Sequence, residues 1–257
     1  MAESISEIKN IYSRTDIKDL PEFIESLKND NRKGVLSIIN SANKKYNAYL
    51  EEMERLKAIT YYENQCRQNG YKLIAGIDEV GRGPLAGPVV TAAVILKEND
   101  LIEGINDSKK LSAAKRESLY DIITDRAISY AFGVVSSEEI DSINILQATY
   151  KAMRQALASL NVKSDFVLAD AVTIPDIDIK QQGIIKGDAK SISIGAASII
   201  AKVYRDRMMD EYAKIYPEYG FEQNKGYGSQ SHIEAIKKYG PCPIHRKTFI
   251  KNFVWGL

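Results

Sequence analysis

Two patterns of hydrophobic positions divide the chain near residue 70. Before that point apolar residues recur at helical spacing, most regularly between residues 35 and 66, which predicts a break at Gly34 followed by one long helix to about Cys66. After it, short apolar runs of strand length alternate with helical segments. The pattern predicts a small helical appendage over residues 1–70 and an α/β domain over residues 71–257 whose C-terminal part is helical.

Several apolar runs of the second part have the length and the bounding residues of buried strands. These runs are residues 73–77, 89–96, 127–135 and 166–170, with a further short strand within residues 182–190. Ser112 and Ser136 are predicted helix N-caps, and the pair Ser136 and Glu139 fits the sequence pattern of a capping box. Strands that alternate with helices, two of them ending in acids, predict an α/β sheet with a site at the strand ends.

The composition is that of a globular protein and narrows the function. The 257 residues are 44% hydrophobic and 27% charged, which allows one large domain or a medium domain with an appendage. A net charge of +1 gives no global basic field, so binding of nucleic acid requires a local patch. Cys66 and Cys242 lie far apart in the sequence, which fits a reducing cytosol better than a disulfide framework. With no signal pattern and no apolar run near the ~20 residues that span a bilayer, we expect a cytoplasmic protein away from membranes.

The most informative stretch is residues 76–88, where two acids end an apolar strand and a glycine-rich loop follows. Asp78 and Glu79 are adjacent, and acids at the end of a buried strand are costly unless something binds them. Mg²⁺ and Mn²⁺ prefer carboxylate oxygens, so a divalent cation is expected. Adjacent residues of a regular strand face opposite sides, so we expect the backbone to turn at Glu79 and let the acids converge. The alternative is a hairpin whose acids cap its own turn.

The loop and the next polar segment carry groups suited to a phosphate or a sugar. Gly81 and Gly83 let a ligand approach the main chain closely, and Arg82 supplies a guanidinium. Ser108 and Lys109 precede a predicted helix, and a helix N-terminus favours phosphate. A solvated loop is the alternative for this second segment.

Later segments again combine acids with basic or aromatic residues. Asp170 ends another apolar strand, unless it only caps the turn that follows. Lys186 and Asp188 precede a helix rich in small residues, which can pack close to the sheet and hold Asp188 beside the other acids. Glycines flank Tyr227, which predicts an exposed aromatic that either stacks on a base or sugar or packs on the surface.

Two further groups of residues are given no catalytic role. His232 and His245 stand in different local contexts and are interpreted as structural. The appendage is either a spacer or a nucleic-acid-contacting module, for which the candidate residues are Arg32, Lys33, Lys44 and Lys45.

These motifs, in this order, resemble those of type 2 ribonuclease H, ribonuclease HII. They are Asp-Glu-Val-Gly-Arg-Gly at 78–83, Asp-Ser-Lys-Lys-Leu at 107–111, Asp170, Lys-Gly-Asp at 186–188, and Lys-Gly-Tyr-Gly at 225–228 with His232. The resemblance spans about residues 72–249. The sister enzyme ribonuclease HIII shares the acidic start but has threonine at the position of Arg82, which favours ribonuclease HII.

The resemblance implies an RNase H-like fold with a central five-stranded mixed sheet flanked by helices. It implies that Asp78, Glu79, Asp170 and Asp188 are the catalytic and metal-binding residues of a site for two Mg²⁺ or Mn²⁺ ions. The expected substrate-binding residues are Gly81, Arg82, Gly83, Ser108, Lys109, Lys186 and Tyr227. The implied activity is hydrolysis of RNA in RNA/DNA hybrids and cleavage 5′ to single ribonucleotides in duplex DNA. The products carry 3′-hydroxyl and 5′-phosphate ends, as required for removal of ribonucleotides and RNA primers.

Two other hypotheses stay open at this point. One is a ribonuclease HIII-like enzyme, or another nuclease or integrase-type transferase on the same fold. The other is a non-catalytic nucleic-acid-binding protein, against which the retention of four acids argues. We expect a monomer that binds RNA/DNA hybrids and ribonucleotide-containing DNA duplexes.

Overall fold

The predicted strands form one five-stranded sheet in the computed structural model, which describes residues 3–254. The strands are β1 (Ile74–Val80), β2 (Val89–Ile95), β3 (Ser129–Val135), β4 (Phe166–Asp170) and β5 (Lys180–Ile184). Their order across the sheet is β3-β2-β1-β4-β5. The pairs β1–β2 and β2–β3 are antiparallel, whereas β1–β4 and β4–β5 are parallel. The sheet is therefore mixed, with β1 at its centre.

Helices precede the sheet, cover it and make up the C-terminal part of the chain. The helices before β1 are α1 (Ile5–Arg14), α2 (Leu20–Ser26), α3 (Lys33–Ile59) and α4 (Tyr61–Gln68). Those within the sheet region are α5 (Ala113–Arg126), α6 (Ser137–Ile143), α7 (Ile145–Ala158) and α8 (Ile192–Ile215). The last three are α9 (Phe221–Asn224), α10 (Gln230–Tyr239) and α11 (Lys247–Val254). Within the described part of the chain, no helix has the length and apolarity needed to cross a membrane.

The chain divides into two compact units between Lys57 and Ala58. In the smaller unit, Ile8, Val35 and Ile38 form an apolar cluster with Tyr12 and Phe23 packed against it. The larger unit contains the whole sheet. Most of its apolar core lies between the sheet and helices α7 and α8, where β1 and β2 are nearly continuous runs of buried residues.

One expectation for the N-terminal region is wrong in detail. The sequence predicted a break at Gly34 and one long helix to about Cys66, but Gly34 lies in the first turn of α3 and the helix ends at Ile59. Thr60 separates α3 from α4, and Cys66 is buried in a cluster with residues of β1, β4 and α8. Burial of this side of α4 in the larger unit fixes its position, which helical periodicity alone does not reveal.

The start of α8 packs unusually close to the centre of the sheet. A Cβ atom added to Gly76 of β1 would lie 2.0 Å from the carbonyl carbon of Ser193, so only glycine fits there. The first residues of α8 are small or aliphatic and all buried. This close contact places the start of α8 against the middle of β1, as the small-residue pattern predicted, and the segment just before α8 reaches Asp170 at the end of β4.

Candidate active site

Three of the predicted acids lie at one end of neighbouring strands. Asp78 is in β1 and Asp170 ends β4, and the parallel register of these strands pairs Ile77 with Ala169, one residue earlier in each. Asp78 and Asp170 are therefore lateral neighbours. Glu79 follows Asp78 in β1, where it lies opposite Thr91 of β2.

The fourth acid, Asp188, is brought in by a hydrogen bond to Asp170. Asp188 lies in a short 3₁₀ turn, Gly187–Ala189, and the Gly187 N–H donates to Asp170 Oδ1 at 2.7 Å. A Cβ on Gly187 would stand 2.6 Å from the end of the Ile194 side chain and 3.4 Å from Asp170 Oδ1, so glycine lets the chain approach without displacing these side chains. Lys186 adopts the left-handed conformation, with φ of 58°, which turns the chain sharply after β5.

The carboxylates destabilise one another in their charged forms. Burial, and then the charge of Glu79, raise the pKa of Asp78 well above its ordinary value. Burial also raises the pKa of Glu79 and of Asp188, and Asp170 adds to the effect on both. A site that makes ionisation of its acids costly is one that gains from a bound cation.

Glu79 retains an oxygen that is available to a ligand. Its Oε1 accepts from Arg82 Nη1 at 3.2 Å, whereas its Oε2 is buried and has no hydrogen-bond partner among residues 3–254. An orphaned carboxylate oxygen in an all-oxygen donor set fits a hard divalent cation. Across the same residues, no three acids, histidines or cysteines are already arranged as a metal cluster. The donor chemistry fits Mg²⁺ or Mn²⁺, but the ligand positions are not preformed.

The predicted turn at Glu79 is wrong. β1 remains paired with β2 through Val80, and the chain turns at Gly81, where φ is 90°. Extended pairing persists because Val80 still has Val90 opposite it. The glycine-rich loop therefore begins at Gly81, after Val80, and not at Glu79 as predicted.

Two buried arginines hold the glycine-rich loop in place. Arg246 donates to the carbonyl oxygens of Gly81 at 2.5 Å and Arg82 at 2.9 Å, and twice to that of Gly87. Arg205, in α8, donates to Ala86 O, Pro88 O and Lys225 O at 2.9 to 3.2 Å. Both arginines are fully buried. Burial lowers the pKa of Arg246 to about 9, which leaves its guanidinium charged at neutral pH.

Tyr227 lies beside this loop. A Cβ atom on Gly83 would be 3.9 Å from Tyr227 Cε1, and the Gly226 carbonyl accepts from the N–H of Leu85 at 2.8 Å. The Arg205 guanidinium carbon is 6.0 Å from the centre of the tyrosine ring. Tyr227 is 44% exposed, so the predicted exposed aromatic on a turn is confirmed.

The remaining candidate substrate contacts differ in accessibility. Lys109 and Lys186 are exposed. Ser108 is buried, and its hydroxyl is 3.0 Å from that of Ser198, whose side chain in turn hydrogen-bonds Asp78 and favours its charged form. Ser108 therefore contacts Ser198, the residue that hydrogen-bonds Asp78. Its contact with substrate stays a prediction.

Sequence reasoning missed the residues that hold the loops. Arg205 could have been noticed as a charge within the buried length of α8, but two of its carbonyl partners, Ala86 and Pro88, are more than a hundred residues away in sequence. The two histidines were placed in different contexts, yet His232 Nε2 and His245 Nε2 are 3.0 Å apart. No local pattern signals a contact made only by tertiary packing.

The strand order of the mixed sheet is that of the RNase H-like fold. With acids at the ends of the adjacent central strands, the protein belongs to the class of RNase H-like nucleases. The ribonuclease HII family model matches residues 75–252, and that of the ribonuclease HII N-terminal domain matches residues 4–67. The chain belongs to the ribonuclease HII family, and it is a type 2 ribonuclease H, an endonuclease that acts on RNA paired with DNA.

Similar proteins cover nearly the whole chain. Ribonuclease HII of Clostridioides difficile strain 630 is 52% identical over 252 residues, which are 98% of this chain and 99% of that protein. Ribonuclease HII of Acetivibrio thermocellus is 51% identical over 251 residues, or 98% of each chain. Among solved structures, ribonuclease H2 from Pyrococcus horikoshii OT3 matches with a TM-score of 0.57 and 32% identity, covering 68% of this chain and 92% of its own.

Proposed function

We propose that this enzyme cuts 5′ to a ribonucleotide that is followed by a deoxyribonucleotide, including a single ribonucleotide in duplex DNA, and leaves 3′-hydroxyl and 5′-phosphate ends. The observation that carries the proposal is the position of Tyr227 beside Gly83, in a loop that starts directly after the acids Asp78 and Glu79. A tyrosine that recognises the sugar of a nucleotide next to the cleavage site determines which phosphodiester bond is cut.

Each part of the loop has a separate role in this proposal. Gly81 and Gly83 have no side chains, so main-chain groups can reach a ribose 2′-hydroxyl, the group that distinguishes RNA from DNA. Arg82 is exposed, so its guanidinium can turn towards the neighbouring phosphate. The half-exposed ring of Tyr227 stacks on the sugar of the next nucleotide, where a deoxyribose fits and a 2′-hydroxyl crowds it. Lys109 and Lys186 contribute positive charge for the substrate backbone.

We assign divalent-metal binding to Asp78, Glu79, Asp170 and Asp188. These carboxylates would hold two Mg²⁺ or Mn²⁺ ions, whose chemistry would be activation of a water molecule and stabilisation of the leaving oxygen of an in-line displacement. The protein itself presents the carboxylate oxygens. The pKa values of Asp78 and Glu79 are raised, so ionisation of these two side chains is costly unless a cation is bound. The Ser198 hydroxyl favours the charged form of Asp78, and the Gly187 N–H holds Asp170.

The test compares two labelled duplexes, one with a single ribonucleotide in DNA and one with a continuous RNA strand on DNA. Tyr227→Ala should lower kcat/KM for the single-ribonucleotide duplex by roughly ten- to hundredfold, since stacking contributes ~1–3 kcal/mol. Tyr227→Phe, which keeps the ring, is the control. Cleavage restricted to long RNA tracts by the wild type would contradict the proposal and indicate ribonuclease HIII-like specificity.

The metal assignment is tested separately. Asp170→Asn should abolish most cleavage of both duplexes in Mg²⁺ and in Mn²⁺, while the far-ultraviolet circular dichroism stays unchanged. Titration calorimetry of each metal on the wild type and the variant measures binding without turnover. Full activity in Asp170→Asn would exclude the assignment of four carboxylates.

A further inference from the structure

We propose that His232 and His245 are positioning residues for Tyr227, acting through a directional chain of hydrogen bonds that ends on the Tyr227 carbonyl oxygen. The proposal rests on the proposed function of Tyr227 as the reader of the nucleotide after the ribonucleotide. It assigns a specificity role to two buried histidines that take no part in the metal site.

The chain of contacts joins three segments of the C-terminal region. The Cys242 N–H donates to His245 Nδ1 at 2.9 Å, and His245 Nε2 is 3.0 Å from His232 Nε2. His232 Nδ1 is 2.8 Å from the carbonyl oxygen of Tyr227. His232 stands in the first turn of α10 and His245 just before α11, so the chain links two helix starts to the tyrosine turn.

The backbone groups at the two ends determine the position of every proton between them. A backbone N–H can only donate, so Nδ1 of His245 must accept and its proton lies on Nε2. That Nε2–H donates to His232 Nε2, which leaves the second proton on His232 Nδ1. A backbone carbonyl can only accept, and it receives this last hydrogen bond. One arrangement of two neutral rings satisfies all four ring nitrogens, and a proton added to either ring would bring two donors face to face.

The surroundings keep the pair neutral. Both histidines are buried, and burial lowers the pKa of His232 and that of His245, the latter to about 4. The rings lie against Tyr219 and Phe221, with the Cys242 sulfur 3.1 Å from His245 Nδ1. Burial raises the pKa of Tyr219 and, to about 11, that of Cys242, so these neighbours are uncharged at neutral pH.

The Tyr227 turn needs such an anchor because glycines flank it. Gly226 has φ of 85°, and a Cβ there would collide with Ala86 O at 2.4 Å, so the position cannot be stiffened by another residue. Besides the His232 contact, Tyr227 has two hydrogen bonds within its own turn, from its N–H to Asn224 O and from the Ser229 N–H to its carbonyl. The histidine is therefore the contact that ties this carbonyl to the body of the domain, and through it the direction of the exposed ring.

A matched pair of variants separates positioning from stability. His232→Asn places an amide N–H where Nδ1–H was and can keep the contact with Tyr227 O, whereas His232→Leu cannot. Both leave His245 Nε2–H without its partner, so they share that loss. We expect His232→Leu to lower kcat/KM for the single-ribonucleotide duplex by roughly three- to tenfold, the effect of one hydrogen bond. His232→Asn should stay within about twofold of the wild type, and the continuous hybrid should be cut alike by both variants.

A measurement on the wild type supports the test if His232→Leu does not fold. Nitrogen-15 NMR of the histidine rings at neutral pH should find His232 protonated on Nδ1 and His245 on Nε2. The opposite tautomer at either residue would overturn the proposal, because the chain would then not end in a donor to Tyr227.

Tyr227→Ala, assayed on the same duplex, distinguishes the two ways of failing. If Tyr227→Ala lowers single-ribonucleotide cleavage but His232→Leu and His232→Asn behave alike, the positioning role is wrong and the reading role stands. If Tyr227→Ala has no effect, the reading role itself is wrong and the positioning role falls with it.

Discussion

At the scale of single residues, the site contains a cluster of acids and a pair of buried arginines. The two sets of charged side chains differ in whether their polar atoms have hydrogen-bond partners. The acids at the ends of β1 and β4 repel one another, and one oxygen of Glu79 has no hydrogen-bond partner within the described residues 3–254. The guanidinium groups of Arg205 and Arg246 are fully buried, but main-chain carbonyls accept their hydrogen bonds. The repulsion among the acids is unfavourable, and a bound cation would relieve it. The buried arginines are satisfied by main-chain carbonyls, and these hydrogen bonds fix the conformation of the loop.

The first prediction concerns the strain in the acid cluster. In chelator, Asp78→Asn should raise the melting temperature by about 2–4 °C for each kcal/mol of repulsion and desolvation that it removes. The folded-state pKa of Asp78 is raised above its ordinary 3.8, so its ionisation costs stability as the pH rises above that value. The gain should therefore vanish as the pH falls towards 3.8 and grow as the pH rises above that value.

The matched control is Asp178→Asn, which removes the same charge at an exposed position. It should leave the melting temperature nearly unchanged at both pH values. A destabilised Asp78→Asn protein at neutral pH in chelator would show that the cluster is not strained when empty.

The second prediction concerns Arg246. Lysine has one ammonium group and cannot reproduce the planar fork that contacts Gly81, Arg82 and Gly87. Arg246→Lys should lose about 1–3 kcal/mol of stability through carbonyls left unpaired, and KM for both duplexes should rise because the loop loosens. Thermal unfolding and steady-state kinetics measure the two effects.

Arg207→Lys makes the same chemical change at a half-exposed residue that pairs with Glu117, and it should alter neither quantity appreciably. If both variants behaved like the wild type, Arg246 would have no role in holding the loop.

At the scale of elements, α4 and α8 are joined by a buried carboxylate. Glu63 of α4 accepts from the hydroxyls of Ser191 and Ser193, each at 2.5 Å, and from the Ser193 N–H at 3.1 Å. These donors stand at the N-terminus of α8, where the helix dipole favours a negative charge. Because Asp188 lies immediately before this helix start, α4 supports one of the proposed metal ligands from outside the sheet.

The third prediction tests this link. Glu63→Ala leaves buried hydroxyl and N–H donors without their acceptor and should cost about 1–3 kcal/mol in the free energy of unfolding. Calorimetric affinity for Mn²⁺ should fall with it, because the Asp188 turn loses its support. Glu63→Gln, which keeps an acceptor oxygen, should retain more of both. Equal stability in the alanine variant and the wild type would rule out the link.

At the scale of the whole molecule, the sequence indicated the sheet and the site to different degrees. β1 to β4 were visible because buried strands are continuous apolar runs, and the family motifs mark the four acids. The support of the site was not visible. The arginine-to-carbonyl contacts and the His232–His245 pair join segments by packing and leave no periodicity, and the Glu63 contact spans 128 to 130 residues.

The division of the chain leads to the last prediction. The structure divides between Lys57 and Ala58, whereas the sequence pattern placed the boundary at residue 70, and the two alternatives differ by α4. A chain beginning at Ala58 should fold and cut both duplexes, while one beginning at Tyr71 should be unstable because it lacks Glu63 and the buried Cys66.

Salt dependence then shows what the removed residues contribute. The basic candidates there are Arg32, Lys33, Lys44 and Lys45, of which Arg32 is already paired with Asp30 and Lys45 lies over the ring of Tyr12. The slope of log K against log salt is negative, and each lost phosphate contact makes it shallower by roughly one unit. If Lys33 and Lys44 touch the substrate, the chain from Ala58 should bind a catalytically inert duplex more weakly and with a slope about two units shallower. An unchanged slope would leave the smaller unit without a role in binding nucleic acid, and equal stability of the two shortened chains would place the boundary at residue 70 after all.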